Sequence, residues 1–150
     1  AGGGVQVIDD YGHNPAKLWA AWTAVSAPGN RVLGVWRPHG FGPLRTMLDP
    51  LTEAFASVCR TSDNLWILPV YDAGGTADRS IQSDALVARL QARGVAAEVA
   101  ADYDRLGEAL TQTARAGDTI LVMGARDPHL PVFAREMAAR TAHFQGENPR

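Results

Sequence analysis

The sequence predicts a three-layer α/β domain of Rossmann-like character, a mostly parallel sheet with helices on both faces. Three observations predict it. Runs such as RVLGVWRP (31–38), NLWILPVY (64–71) and DTILVMGA (118–125) are apolar on both strand faces, as in a sheet covered on both sides. Amphipathic stretches of helical period alternate with them. The 150 residues, 46% hydrophobic, show no repeat, no low-complexity block beyond the initial glycines and no linker, so one domain spans 1–150.

Val5 to Asp10 reads as the first strand. Asn14-Pro15 then supplies a cap and a proline at the first helical position, ahead of Leu18, Trp19, Trp22 and Val25. Arg31 to Pro38 is the second strand, followed by a glycine-rich loop from His39 to Leu48 and a helix opened by Asp49-Pro50, with Asp49 as its cap. Asn64 to Tyr71 is the third strand and Asp72 to Arg79 a loop. Leu86, Val87 and Leu90 mark a helix from Ile81 to Arg93, stopped by Gly94. Ala96 to Ala100 is a weak strand, Asp102 to Ala116 a helix, and Asp118 to Ala125 the last strand. Asp127-Pro128 opens a final helix through Val132, Phe133 and Met137, and the polar tail from Thr141 is expected to fray. Trp19, Trp22, Trp36 and Trp66 all read as core.

Composition excludes several classes. Fourteen Lys plus Arg against 16 Asp plus Glu give a net charge of -2, which supplies no basic field for nucleic acid or an anionic membrane surface. No run is long and apolar enough to span a bilayer, and Ala-Gly-Gly-Gly lacks the features of a signal peptide, so a cytoplasmic protein is expected. Cys59 is the only cysteine, which forbids an intramolecular disulfide and a cysteine-based zinc cluster; helical spacing makes it a core thiol. No metal site is expected. The chain begins at Ala1 and its first methionine is Met47, so a piece of a longer protein is expected.

In open parallel sheets, ligands bind where loops leave the carboxyl ends of the strands and helix N-termini converge. Those loops here hold Asp9 to Asn14, Pro38 to Arg45, Tyr71 to Gly75, and Gly124 to Asp127. His13 and His39 are candidate proton acceptors, and Arg45 and Arg126 candidate anion ligands. Asn14 and Asp127 equally fit helix capping. Asp9 and Asp10 are consecutive on a strand, so at most one faces the crevice. His129 and His143 read as surface residues. The Gly2-Gly3-Gly4 run precedes its strand instead of following one, so it is no dinucleotide fingerprint; there is no GxxxxGK[ST], and no nucleophile elbow with a matching triad. The chain reads as half of an active site.

At Val7-Ile8-Asp9-Asp10-Tyr11-Gly12-His13-Asn14-Pro15 the sequence resembles VxDDYGHHP, which opens the C-terminal domain of the Mur ligases, the ATP-dependent amide ligases of peptidoglycan precursor synthesis. Arg37-Pro38-His39 is similar to the family's QPH, Leu68 to Gly74 to its VYxAGE, and Gly117 to Ala125 to its GDxxLxMGAG. The resemblance is nearest to the members that add L-alanine to UDP-N-acetylmuramate. It implies a Rossmann-like C-terminal domain, with a phosphate loop on a central domain and a UDP-sugar site on an N-terminal domain, neither within these residues. It further implies ATP and Mg2+ bound mainly by the central domain, a UDP-sugar and an amino acid as substrates, and an acyl phosphate attacked by the amine after domain closure. By similarity His13 and Tyr11 would serve catalysis, Tyr11, His13, Asn14, His39, Arg45, Asp72 and Arg126 would contact substrate, and Asp10 would approach the nucleotide ribose. The isolated 150 residues are then expected to be inactive.

Three departures bear on the substrate. Asn14 replaces a second histidine, GFGPLR (40–45) replaces an arginine-rich RYSRT-like stretch, and Arg126 stands where a small residue is common. A murein-peptide recycling ligase or another Mur-like ligase is therefore a second reading. A stand-alone, non-catalytic module binding a small anion is a third.

Overall fold

A computed structural model describes residues 4–71 and 82–146. Its elements are β1 (Gln6–Asp10), α1 (Pro15–Val25), β2 (Val32–Trp36), α2 (Phe41–Thr46), α3 (Leu48–Val58), β3 (Asn64–Ile67), α4 (Ser83–Ala92), β4 (Ala97–Val99), α5 (Tyr103–Thr113), β5 (Thr119–Met123), α6 (His129–Arg140) and α7 (His143–Gly146). Among the described residues the strands form one sheet in the order β1-β5-β2-β3-β4, every pairing parallel. β5, the last strand in sequence, thus lies between the first two.

Strand alternation sorts the apolar residues into two cores. Val32, Trp36, Leu65, Ile67, Leu121 and Met123 face α1, α3 and α4, while Leu33, Val35, Trp66, Leu68, Ile120 and Val122 face α5 and α6. Gly34 is the one β2 residue whose side chain must be absent. A Cβ there would stand 2.1 Å from the Trp22 ring, which fills that space. Both cores are large, and each covers one face of the sheet.

The turns entering β2, β3 and β5 form a closed polar network at the amino edge. Asp63, 1% exposed, accepts hydrogen bonds from Trp22 Nε1, Val32 N, Arg60 N and the Arg60 guanidinium. Burial pushes its carboxyl up, but the hydrogen bonds from Arg60, Val32 and Trp22 outweigh that and hold it below the ordinary 3.8. Asp118 likewise pairs with Arg31 at 2.7 Å and accepts from Arg115 N. Arg31 and Arg60 also donate to Thr113 O and Ala27 O, and Asn30 donates to Val25 O, so the ends of α5 and α1 are covered.

Several expectations need correction. The glycine-rich segment after β2 is not all loop: α2 occupies 41–46, and Met47, at φ -105°, separates it from α3. Asp49 is no cap; it lies inside the first turn of α3 and pairs with the exposed Arg89. Trp19 is not core, being 47% exposed, whereas Trp22, Trp36 and Trp66 are buried. Thr141 does not start a frayed tail: it is fully buried, donates to Met137 O, and is followed by α7, whose Phe144 packs on the second core. The loop predicted over 72–79, including Asp72, lies outside the described residues. Cys59 is packed against the first core, and burial, with Asp63 nearby, pushes its thiol up to about 12.

Candidate functional site

The carboxyl ends of β1, β2, β3 and β5 meet at one edge, where their loops are stitched together. Gly124 N donates to Asp10 O, Tyr71 N to Pro38 O, and Gly40 N to Tyr71 O, the last pair flanking a parallel bridge between His39 and Tyr71. Gly124 has φ +151°, and a Cβ there would lie 2.3 Å from Leu130 and 3.3 Å from Arg37 O, so only glycine lets β5 turn between them.

After β1, Asp10 and Asp9 diverge as the pleat requires. Asp10 accepts from Gly12 N at 2.7 Å and folds the loop back on itself. Asp9 is held above 3.8 by burial and by Asp10, an effect countered by Arg135 of α6. Tyr11 projects into solvent at 73% exposure, while the His13 ring lies 3.2 Å through Nδ1 from Tyr11 O. Asn14 caps α1, its Oδ1 accepting from Lys17 N at 2.9 Å.

This loop brings His13 to His39, with ring centroids 5.6 Å apart. Partial burial, His13 and Arg126 together lower the His39 pKa below 6.5. That shift favours the uncharged imidazole, the form able to accept a proton. Beside the pair, Asp10, Tyr11, His13, Lys17, Ala21 and Ala125 line an open hollow of about 450 Å³. One aromatic face, one carboxylate, the chain's sole lysine and a floor of alanines make a shelf for a flat or amphipathic ligand.

Of the other predicted residues, Arg126 lies at the rim, exposed and close enough to act on His39. Arg45 is exposed in the last turn of α2. Asp127 precedes Pro128, the N-cap of α6, and accepts from His129 N; it is buried and shared with Arg37 and Tyr103. Sequence reasoning placed Tyr71 in a loop at this edge but missed Arg37 and Tyr103 as parts of it. Arg37-Pro38, immediately before His39, was the signal available. Among the described residues no group of three His, Cys, Asp or Glu is arranged to hold a metal ion, and no helix is long and apolar enough to cross a membrane.

Residues 1–126 match the family described as "Mur ligase, glutamate ligase domain". The chain belongs to the Mur ligase family. It is 35% identical over 127 residues to UDP-N-acetylmuramate–L-alanine ligase of Novosphingobium aromaticivorans, covering 83% of this chain and 26% of that protein. It is 36% identical over 127 residues to the ligase of the same name from Burkholderia thailandensis, with the same coverage of each. The crystal structure of UDP-N-acetylmuramate-alanine ligase from Thermotoga maritima superposes with a TM-score of 0.67 at 19% identity, covering 93% of this chain and 27% of that one. This Mur ligase chain thus spans about a quarter of the length of the curated relatives it matches. The parallel sheet expected from the resemblance is the fold observed.

Proposed function

We propose that residues 1–150 are the C-terminal domain of a larger ATP-dependent ligase that joins a carboxylate to an amine in peptidoglycan precursor synthesis. The observation that carries this reading is the His13–His39 pair, beside the hollow, at the carboxyl edge of a Mur ligase sheet. An amine attacks an acyl phosphate only when uncharged, and it sheds a proton as the amide forms. His39, favoured in its uncharged form, and His13 are suited to take that proton. Tyr11 and Arg126 flank the same space, where Tyr11 would contact the amine substrate and the cation would meet its carboxylate or a phosphate. Asp10, with one oxygen on Gly12 N, would present the other to a ribose hydroxyl. Asn14, Arg45 and Asp72 complete the proposed contact set, Asn14 with its side-chain oxygen already used in capping.

ATP and Mg2+ would be held mainly by other parts of the enzyme, and closure of those parts over this edge would exclude water from the acyl phosphate. UDP-N-acetylmuramate and L-alanine are the preferred substrate pair, because the curated relatives carry that name at about 35% identity. The test is ADP release by the complete parent protein, with UDP-N-acetylmuramate constant and the amine varied across L-alanine, other amino acids and short peptides. Release dependent on L-alanine is expected. Release requiring a peptide would reassign the step to murein-peptide recycling, and no release with any pair would sink the ligase reading.

A further inference from the structure

Arg37 leaves the end of β2 two residues before His39, and its N–H still donates to Met123 O of β5. Its guanidinium lies over two aromatic rings, the Cζ 5.6 Å from the Tyr71 ring centroid and 5.5 Å from that of Tyr103. Nη1 meets Asp127 Oδ2 at 3.2 Å, with the two side chains only 18% and 6% exposed. Asp127 is divided among three elements: Oδ2 also accepts from the Tyr103 hydroxyl of α5, and Oδ1 from His129 N at the start of α6.

Two of the residues gripped here adjoin residues of the proposed site. Tyr71 is bridged to His39, and Asp127 follows Arg126 directly. We infer that Arg37 is a positioning residue for this edge: set over the Tyr71 and Tyr103 rings and tied to Asp127, it fixes the His39 loop and the Arg126 loop in one mutual arrangement. The chemistry suits that task. A planar guanidinium stacks on both faces while donating in its plane, which an ammonium cannot do. A buried ion pair adds little to stability against an apolar replacement, but it specifies one arrangement of the elements sharing it. Nε of Arg37 is buried without a hydrogen-bond partner among the described residues, so the side chain is placed by the rings and Asp127 and not by a full set of bonds.

The inference deepens the ligase reading, on which it rests only for what the edge is used for. Its test needs no substrate. His39 in the 150-residue protein is titrated by NMR through its Cε1–H signal, with His143, on α7, as internal reference. Arg37→Gln, Arg37→Lys and Asp127→Asn are compared with wild type and with Arg115→Gln at the opposite edge. The charges facing His39 are His13 and Arg126, and burial adds to them in depressing its midpoint. Freeing the loops exposes the ring and lets Arg126 swing away, so all three clamp variants should raise the midpoint toward 6.5, with Arg115→Gln unchanged. Arg37→Lys is decisive, since it keeps the charge and loses the stacking plane. A wild-type midpoint in Arg37→Lys with a shift only in Arg37→Gln would reduce Arg37 to a nearby charge and overturn the inference. Unchanged midpoints in all three, or loss of the fold in all three, would make it a purely structural residue. Absence of ADP release from the parent would sink the ligase reading and leave the titration result standing.

Discussion

The two edges of the sheet are built from the same ingredients and put to opposite uses. At the amino edge, Arg31, Arg60, Asp63 and Asp118 satisfy one another, the strand-entry amides and the helix ends. At the carboxyl edge Asp10, Tyr11, His13 and Lys17 line open space with His39 against His13, and Arg37 and Asp127 are locked in place behind them. Both edges carry a hollow of similar size, about 440 Å³ beside the arginines and about 450 Å³ beside the histidines. Cavity volume therefore does not separate them. What separates them is whether the polar groups already have partners, because a satisfied guanidinium would have to give up its bonds to accept a ligand.

The sharpest way to break that contrast is to truncate one residue at each edge. His13→Ala in the complete enzyme should lower ligation by roughly 10² to 10⁴-fold, while leaving thermal unfolding of the domain close to wild type. A wild-type rate of ADP release would return His13 to a loop residue. Asp63→Ala should do the reverse, destabilising the domain by about 3–5 kcal/mol in urea unfolding, because it strands the Arg60 charge and the Trp22 and Val32 donors. Its effect on the His39 titration should be nil in conditions where it remains folded.

A smaller effect blurs the boundary between the edges. Asn14 sits beside His13 but spends its side-chain oxygen on the α1 cap, so Asn14→Ala should cost about 1 kcal/mol, measured by thermal or urea unfolding. Asn14→Asp keeps a capping acceptor and should recover most of that loss. If both variants instead reduce ligation and leave stability unchanged, Asn14 belongs to the chemistry and not to the helix.

Acid should separate the two edges along the pH axis. His39 has a depressed folded pKa, so the stability it contributes is present above 6.5 and is lost as pH falls from there through the lower folded value. Asp63 is also depressed, but from 3.8, so its contribution persists through mild acid and disappears only below that point. Urea midpoints taken across this range should show a shallow decline beneath pH 6.5, abolished by His39→Gln, and a steeper one beneath pH 3.8. A single transition insensitive to His39→Gln would contradict the assignment.

The sequence made the strands and most helices legible because their signals are local. Apolar runs marked β2, β3 and β5, and the Asn14-Pro15 pair marked α1. The pairing order was not legible, since nothing in DTILVMGA says that it inserts between β1 and β2. α2 was hidden by Gly40, Gly42 and Pro43, which look like loop until Phe41 and Leu44 bury themselves on the first core. Trp19 misled because an apolar helix was taken to be apolar inward, and α1 has too few polar residues to reveal its solvent face. At the site, His13 and His39 were legible from the loops that must carry them. The clamp was not, because Arg37, Tyr71, Tyr103 and Asp127 come from four separated segments, and each alone resembles a strand end, a cap or a core aromatic.

The uneven burial of the four tryptophans gives the molecule an optical consequence. Trp22, Trp36 and Trp66 are shielded, whereas Trp19 stands in water on α1, on a face turned away from Lys17, Ala20, Ala21 and Ala24, which line the histidine hollow. Its emission should be red-shifted relative to the other three and selectively quenched by iodide. Another part of the enzyme packed on that outer face would mute the quenchable fraction, a ligand confined to the hollow would not, and the shielded fluorescence serves as a built-in reference.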